Sequence, residues 1–519
     1  MDSAARGGET GDERAGRPGG DAPATGLRQV LGPVDGAIIA MSNTAPTLSI
    51  GIGMGAIAAI VGGAIPAVVL LAFLPILGIA SAYAQLNRVE RNLGAGFVWV
   101  RRTLGPWLGF QSGWVTVVGT TIYLAYGSQV CGAMLLAFAN EAHLHSVLGL
   151  SLDPGSVALT TILGLVVLVA VTLTAIRGAD LSARIQKPMI VFEYLVLVGF
   201  CGYALIIGKH HFSLDWFNPA SLPSMKVLAA GLVVSVYIFW GWDSAFSVTE
   251  ETRHPRDAAR AGYGSLWLML GMFLLAALGF ERLFSLDQMT QNASTLLPYL
   301  GTSLARQPLA ALPLLAIMFS SIASLQAGVL PTARQTLAMG RTGTLSPLWT
   351  RLHPRFGTPA IGTVLISSIA ALLAVLGIGI GTLNQFISAA ATSVGMLVSL
   401  YYGLAGLACA VRFRAQLQAG VIAALRAVVL PAFSAIALLA LGAYLAYSDW
   451  TSVPAFAWNA TNGKFIAAIP VTIVLTGLAA SAWAKWGRRA PYFDTAPERA
   501  AEAEEQIALT PAPAPGPAV

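Results

Sequence analysis

The chain has 519 residues, of which 56% are hydrophobic and 10% are charged, and its formal net charge is +6. Soluble domains carry about 25% charged residues, so this composition excludes a soluble globular protein and predicts a polytopic membrane protein. The apolar runs are continuous over helical length and do not alternate over about ten residues, which excludes a membrane β-barrel.

Between its two terminal tails the chain consists mainly of successive apolar runs. Residues 1–29 are a mixture of Gly, Ala, Arg and Asp without an apolar run, so we expect a disordered tail and no cleaved signal peptide. Runs of about 20 apolar residues then predict about twelve transmembrane helices in an all-α protein. Their approximate bounds are 34–58, 60–86, 107–139, 155–176, 186–208, 227–250, 259–281, 309–339, 359–381, 385–412, 424–447 and 465–486. Residues 495–519 are rich in Ala, Glu and Pro, and we expect a second disordered tail there.

The basic residues are distributed unevenly between the two sides of this arrangement. If both termini are cytoplasmic, most of the arginines fall in inner loops. The outer loops receive only Lys209, Lys226, Arg282, Arg306 and Lys464. The positive-inside rule therefore predicts a multi-pass plasma-membrane protein with both termini in the cytoplasm. Because topology explains the net charge, that charge indicates no nucleic-acid partner.

Neither the cysteines nor the histidines form a pattern that is typical of a metal site. Cys131, Cys201 and Cys409 lie within apolar runs, where a thiol behaves as a small hydrophobic group. The histidines fall in loops or at helix ends, and none joins a set of Cys, Asp or Glu at metal-ligand spacing. A catalytic triad, a phosphate loop and a nucleotide fingerprint are also missing from the sequence. We therefore predict no cofactor, no enzymatic activity and no ATP-driven pump.

Two of the predicted helices contain residues that interrupt a helix. The first carries Pro46 and residues 49–53 (Ser-Ile-Gly-Ile-Gly), and the sixth carries residues 239–243 (Phe-Trp-Gly-Trp-Asp). Since each of them opens a block of five helices, we predict an inverted repeat with a binding site between the two breaks. The expected parts are residues 30–212, residues 222–412 and two additional helices in residues 423–488. The alternative is a pair of kinks whose free backbone groups are satisfied by neighbouring helices.

Two acidic residues lie inside predicted helices, where an unpaired carboxylate is costly. Glu193 in the fifth helix either exchanges a proton during a transport cycle or stays neutral and ties its helix to a neighbour. Asp243 either pairs with a substrate ammonium, acts as a proton-linked gate or anchors the broken sixth helix. Glu250 and Glu251 follow at the membrane face, where we expect them to form gate or loop ion pairs. Their expected partners are Arg253, Arg256 or Arg260.

Three parts of the sequence resemble signatures of the amino acid, polyamine and organocation (APC) superfamily. The first part combines residues 94–99 (Gly-Ala-Gly-Phe-Val-Trp) with residues 109–114 (Gly-Phe-Gln-Ser-Gly-Trp). The second is residues 331–347, and the third is residues 239–255, where Asp243 stands at a position more usually occupied by glutamate. Taken together, these motifs make the chain similar to that superfamily from about residue 30 to residue 490.

The resemblance implies a secondary active transporter with a five-plus-five inverted repeat, as in leucine transporters, and two extra C-terminal helices. Helices one, three, six, eight and ten are then expected to line the pathway. Glu193 matches a position that carries a lysine in some proton-coupled amino-acid transporters, and Asp243 matches an acid linked to proton sensing in the arginine and agmatine exchanger. The first helix has Thr44-Ala45-Pro46 and Gly51-Ile52-Gly53 in place of the more common Gly-Ser-Gly form. The resemblance therefore names no single substrate.

We predict a permease for an amino acid or a related amine that is proton-coupled and works by alternating access. The substrate carboxylate is expected at backbone amides of the first break and its ammonium at carbonyls of the sixth. The predicted substrate-binding residues are Thr47, Ser49, Gly51, Gly53, Tyr237, Phe239, Trp240, Gly241 and Trp242. The predicted coupling and gating residues are Glu193, Asp243, Glu250 and Glu251.

Other side chains on helices expected to face the pathway are further candidates. They are Tyr123, Tyr126, Tyr401 and Tyr402, with Ser320, Ser321 and Ser324. The expected partners of the protein are a small-molecule substrate, the proton as coupling ion and the lipid bilayer. An amino acid/amine exchanger, a channel and a non-transporting nutrient sensor have the same architecture, and they stay open as alternatives.

Overall fold

The computed structural model describes residues 27, 29–147, 150–378 and 383–494. The two predicted tails, residues 1–29 and 495–519, lie outside the described residues except at positions 27 and 29. Helices make up most of the described chain, and the two-residue strands β1 (Ser146–Val147) and β2 (Leu150–Ser151) form an antiparallel pair in one loop. The expected all-α membrane protein is confirmed.

In the described part of the chain, 11 helices are long and apolar enough to cross a membrane. They are α1 (Pro33–Val61), α2 (Ile65–Val89), α3 (Pro106–Glu141), α4 (Val157–Arg177), α5 (Ala179–Ile207), α7 (Asp257–Leu283), α8 (Leu309–Arg341), α9 (Ala360–Gly377), α10 (Leu383–Arg412), α11 (Val421–Thr451) and α12 (Gly463–Gly487). The twelfth, α6 (Met225–Ile238), is apolar but shorter, because the chain leaves helical geometry at Phe239. The division into two repeats stays a prediction.

The interruption of α1 follows from its local sequence. Its first segment ends at Thr44, and Ala45 adopts a left-handed conformation with φ 51° and ψ 66°. Pro46 then begins the second segment; proline has no amide hydrogen and disfavours a right-handed helical conformation in the preceding residue. Residues Ser49–Met54 continue as a π-helix before regular geometry returns at Gly55. This break therefore lies at the position where the sequence predicts one.

The interruption of α6 depends on Gly241. This residue has φ 116°, a conformation that only glycine adopts readily. A Cβ atom added to Gly241 would also lie 2.7 Å from the carbonyl carbon of Asn43 in α1, so the two breaks touch through backbone. Beyond Gly241 the chain forms a short helix, Ser244–Ser247, and a 3-10 turn, Thr249–Glu251.

The contacts around α1 distinguish the two ends of the helical bundle. Just before α1, Leu31 forms a parallel bridge with Thr252, and Glu250 pairs there with Arg341 at the end of α8. We call this the first end, which the charge distribution predicts to be cytoplasmic. The second end lies where α1 finishes, at Val61, and where α2 begins, at Ile65.

Candidate functional site

The two interrupted helices meet through hydrogen bonds to the carbonyls that the breaks release. Asn43 Nδ2 donates to the carbonyl oxygen of Gly241 at 3.2 Å. Ser244 Oγ donates to the same carbonyl at 2.7 Å, and Ser49 Oγ donates to the carbonyl oxygen of Thr44 at 2.7 Å. Because buried backbone groups need partners, these polar side chains make a non-helical backbone stable in the middle of the bundle.

A cavity of about 220 Å³ lies on the second-end side of the breaks, between α1, α3, α6 and α10. Near the breaks its wall is polar and includes Asn43 and Ser49. Nearer the second end its wall is aliphatic, and it includes Ile52, Ala56, Val130, Val233 and Val234. Ile52 is 36% exposed although α1 lies inside the bundle, so this side of the cavity is accessible to solvent.

Aromatic side chains form the remaining wall of this cavity. The hydroxyls of Tyr126 in α3 and Tyr237 in α6 are hydrogen-bonded to each other across it. Tyr123 hydrogen-bonds to Ser324 of α8, and its ring lies edge-on to Trp240 with centroids 5.4 Å apart. These contacts fix the rings, so the cavity has aromatic faces that are able to hold an apolar group or an ammonium.

Trp240 separates this cavity from a smaller one that lies toward the first end. The smaller cavity, about 20 Å³, is bounded by Trp240 and Asn43, which also line the larger cavity, and by α8 residues that include Thr332 and Gln335. The Trp240 indole Nε1 donates to the Tyr401 hydroxyl at 2.7 Å. This bond holds the indole between the two cavities.

Asp243 lines the smaller cavity and is held by two tyrosines of α10. Tyr402 donates to Asp243 Oδ1 at 2.9 Å, and Tyr401 donates to Oδ2 at 3.3 Å. Since Tyr401 also accepts from Trp240, a continuous chain of hydrogen bonds connects the indole between the cavities to this carboxylate. Asp243 does not line the larger cavity, but Tyr401 connects it by hydrogen bonds to Trp240, which does.

Glu193 of α5 is fully buried against the second segment of α1. The Thr47 hydroxyl donates to Glu193 Oε2 at 2.7 Å, and the next backbone amide, that of Leu48, donates to Ser320 Oγ of α8 at 3.4 Å. The other carboxylate oxygen, Oε1, has no hydrogen-bond partner among the described residues. The carboxyl group thus lies at the first turn of a helical segment, where the aligned peptide dipoles favour a negative charge.

Two ion pairs, of which one is fully buried, close the first end. The Arg334 guanidinium binds Glu251 through Nε at 2.7 Å and Nη2 at 3.3 Å, and neither side chain is more than 5% exposed. Arg341 binds Glu250 at 3.0 Å. The Leu93 amide donates to the Glu250 carboxylate at 3.1 Å, so the connection between α2 and α3 also contacts these ion pairs.

The expected partners of Glu250 and Glu251 were wrong. We expected Arg253, Arg256 or Arg260, which are near in sequence, whereas the structure pairs the two carboxylates with arginines of α8. The reason is the 3-10 turn Thr249–Glu251, which directs both carboxylates into the bundle. Arg260 lies instead 3.9 Å from Asp257, one turn away on its own helix.

The structure brings four of the predicted substrate-binding residues to the larger cavity. Ser49 and Gly53 line it from α1, and Tyr237 and Trp240 line it from α6. At Gly53 an added Cβ atom would lie 2.5 Å from Ile238, so glycine permits the close approach of α1 and α6 there.

The other five predicted substrate-binding residues lie outside the wall of that cavity. Gly51 faces Ile317 of α8, and Thr47 faces Glu193. Phe239 packs against Phe73 and Phe273, with ring centroids 5.6 Å and 5.0 Å away. Trp242 packs against Tyr83 and Tyr402, and Gly241 contacts the backbone of α1.

Three residues in this part of the protein were missed by sequence reasoning. Asn43 connects both breaks, and an amide side chain three residues before Pro46 in an apolar run was a usable signal. Arg334 is the completely buried partner of Glu251. In the sequence it stood only as part of the motif in residues 331–347 and as a basic residue near an inner loop. Glu281 is a further buried acid, at the second end of α7, and it escaped notice because a predicted helix ended on it.

Comparison with known proteins gives a consistent result. Residues 31–476 match the family model described as amino acid permease. The chain is 25% identical to the methylthioribose transporter of Bacillus subtilis, over 65% of this chain and 73% of that protein. It is 24% identical to a branched-chain amino acid permease of the same organism, over 70% and 79%. It is 23% identical to a low-affinity putrescine importer of Escherichia coli, over 61% and 68%.

Proposed function

The chain belongs to the amino acid permease family, and from this membership we propose that it moves an amino acid or a related amine by secondary active transport. Members of this family are multi-pass membrane transporters and not enzymes. The observation that best supports the proposal is the cavity between the interrupted helices α1 and α6, which two ion pairs separate from the first end. Broken helices around a site halfway through the bundle are typical of secondary transporters.

The proposed mechanism is alternating access. In the present conformation Trp240 and the Arg334–Glu251 and Arg341–Glu250 pairs block the route from the cavity to the first end. Opening that end requires α6 and the turn after it to move away from α8, which separates these pairs. The small polar cavity beside Asp243 then widens into the exit route.

We propose that the breaks bind the charged groups of the substrate. Trp240 lines the cavity and its carbonyl oxygen accepts no hydrogen bond from the described residues, so we expect an ammonium to bind there. The carboxylate is attracted to the second segment of α1, where the helix dipole is positive. The aromatic rings of Tyr237 and Trp240 cover the rest of the substrate.

The same segment of α1 supports a role for Glu193 in proton coupling. An ionised Glu193 lies at the positive end of the segment and competes electrostatically with a substrate carboxylate for it. Protonation of Glu193 removes this competing charge, so proton binding and substrate binding favour each other. Linkage of this kind is reciprocal, which is the condition for symport.

We also propose that the protein lies in the plasma membrane with its first end in the cytoplasm. The support is the excess of arginine at that end, in the loops that follow α2, α8 and α10.

Uptake by the purified protein in proteoliposomes tests the proposed function. Labelled amino acids and amines are supplied outside, with and without an inwardly directed proton gradient. We expect saturable uptake that an acidic exterior accelerates and that excess unlabelled substrate abolishes. Uptake that occurs only when an amino acid or amine is present inside would identify an exchanger, and binding without flux would identify a sensor.

Glu193→Gln tests the coupling. Because glutamine keeps a hydrogen-bonding group but cannot lose a proton, we expect the variant to bind substrate and to lose acceleration by the proton gradient. The control is Asp287→Asn at an exposed position of the short helix Leu286–Gln291, which should behave like the unmodified protein. If Glu193→Gln keeps the full response to the gradient, Glu193 does not carry the coupled proton.

A further inference from the structure

The larger cavity is polar at one end and aliphatic at the other. Asn43 and Ser49 lie close to the helix breaks, whereas the aliphatic residues, together with Thr392 of α10, lie nearer the second end. The aliphatic residues are Ile52, Ala56, Val130, Val233 and Val234. We call these five residues the aliphatic wall. A substrate whose charged groups lie at the breaks therefore extends its side chain along this wall.

No charged side chain lines this cavity among the residues that the structure describes. Glu193 is turned away from it by its bond to Thr47, and Asp243 lies beyond Trp240, held by Tyr401 and Tyr402. The segment before Ala389, residues 379–388, contains no charged residue in its sequence either. The backbone groups of the helix breaks therefore provide partial charges for one ammonium and one carboxylate of a substrate. The described cavity wall provides no carboxylate to pair with a second ammonium.

We propose that the cavity selects a zwitterionic amino acid with a compact apolar side chain and discriminates against diamines and cationic amino acids. This inference rests on the proposed transport function and specifies the substrate of the same site. A second ammonium placed against the aliphatic wall would lose its hydration without gaining an ion partner, which is unfavourable. An apolar side chain at the same place gains by leaving water, at about 25 cal/mol for each Å² buried.

The aliphatic wall also limits the size of that side chain. Ala56 and the neighbouring Gly53 keep α1 close to α6, where Ile238 approaches Gly53. The bonded pair Tyr126 and Tyr237 bounds the cavity on another side. The space for a substrate side chain is thus bounded by α1, α6 and this pair of tyrosines.

Competition against labelled leucine in proteoliposomes tests the inference. The unlabelled competitors are isoleucine, valine, lysine, putrescine and methylthioribose, each over a range of concentrations. We expect isoleucine and valine to compete well, and the two cationic compounds to be weaker by roughly tenfold or more. Methylthioribose, which has neither an ammonium nor a carboxylate, should also compete weakly because it cannot use both helix breaks.

Variants of the aliphatic wall test which residues decide the selectivity. Val234→Asp adds a carboxylate to the wall, and Val234→Asn adds a polar group of the same shape without charge. We expect the aspartate variant, but not the asparagine variant, to improve competition by lysine relative to isoleucine by about tenfold. Val130→Asp with Val130→Asn repeats the comparison on α3, in case α6 does not tolerate the change.

The outcomes separate this inference from the proposed function. Absence of uptake for every amino acid and amine would remove the proposed function itself. Uptake of putrescine or lysine that exceeds that of leucine would leave the transporter in place and overturn the inference. Equal behaviour of the aspartate and asparagine variants at both positions would likewise overturn it, because charge at the wall would then not control selection.

Discussion

At the scale of single residues, Gly241 makes the junction of the two broken helices possible. Its φ of 116° lies in a region that costs a residue with a side chain about 1–3 kcal/mol, and a Cβ atom would meet the α1 backbone at 2.7 Å. We expect Gly241→Ala to lose transport and to lower the melting temperature in detergent. Gly271→Ala in α7 is the matched control, since no atom lies within 4 Å of its added Cβ, and it should change neither quantity. Normal transport by Gly241→Ala would show that the junction tolerates displacement.

The Arg334–Glu251 pair yields a second prediction at this scale. Arg334→Met leaves Glu251 buried without its partner, which should cost about 3–5 kcal/mol and lower the melting temperature. The double variant Arg334→Met/Glu251→Leu should recover most of that loss, since no unpaired charge remains. Arg260→Met is the control, because its pair with Asp257 is 3.9 Å long and the guanidinium is mostly exposed. A double variant no more stable than the single one would contradict this account.

At the scale of elements, the segment before α1 forms a strap across the first end. The Val30 and Leu31 amides both donate to the Glu251 carbonyl at 3.0 Å, and the Arg253 amide donates to the Leu31 carbonyl at 2.9 Å. Leu31 is completely buried in a cluster that includes Val248 and Leu330. The strap thus holds the turn after α6 against α8, so it favours the conformation that is closed at the first end.

Weakening the strap should open the first end more often. We expect Leu31→Asn to increase the rate at which a thiol reagent modifies Gln335→Cys, which lies in the small cavity, by about tenfold for each 1.4 kcal/mol lost by the closed state. The native cysteines are buried and are replaced by alanine for this measurement. The control is Val34→Asn at a residue that is 60% exposed, and equal rates in the two variants would exclude a role for the strap.

At the scale of the whole molecule, the alternating connections of the helices make the two ends distinguishable by labelling. Leu417 follows α10 at the first end and Trp458 precedes α12 at the second, and both are well exposed. In intact cells we expect a membrane-impermeant thiol reagent to modify Trp458→Cys and not Leu417→Cys, which should react only after lysis. The reverse pattern would place the first end outside, against the charge distribution.

Much of this protein follows from local features of its sequence. Hydrophobic runs, the Thr44-Ala45-Pro46 break and the glycine between two tryptophans are all local, because helix length and backbone geometry depend on neighbouring residues. The short motifs that resemble the APC superfamily are also local, and they indicated the family. The costly acids Glu193 and Asp243 were also visible, since an intramembrane carboxylate is conspicuous in any sequence.

Only the tertiary structure decided which of these residues meet. It paired Glu250 and Glu251 with α8 instead of the nearby arginines, and it turned Phe239 and Trp242 into the core while Tyr237 and Trp240 face the cavity. Neither result could be read from the chain, because a break in a helix changes the direction of every side chain after it and ion pairs form between segments about 80 to 90 residues apart. The sequence alone determined a membrane bundle with two interrupted helices, and three-dimensional packing determined the shape and the charge of the space between them.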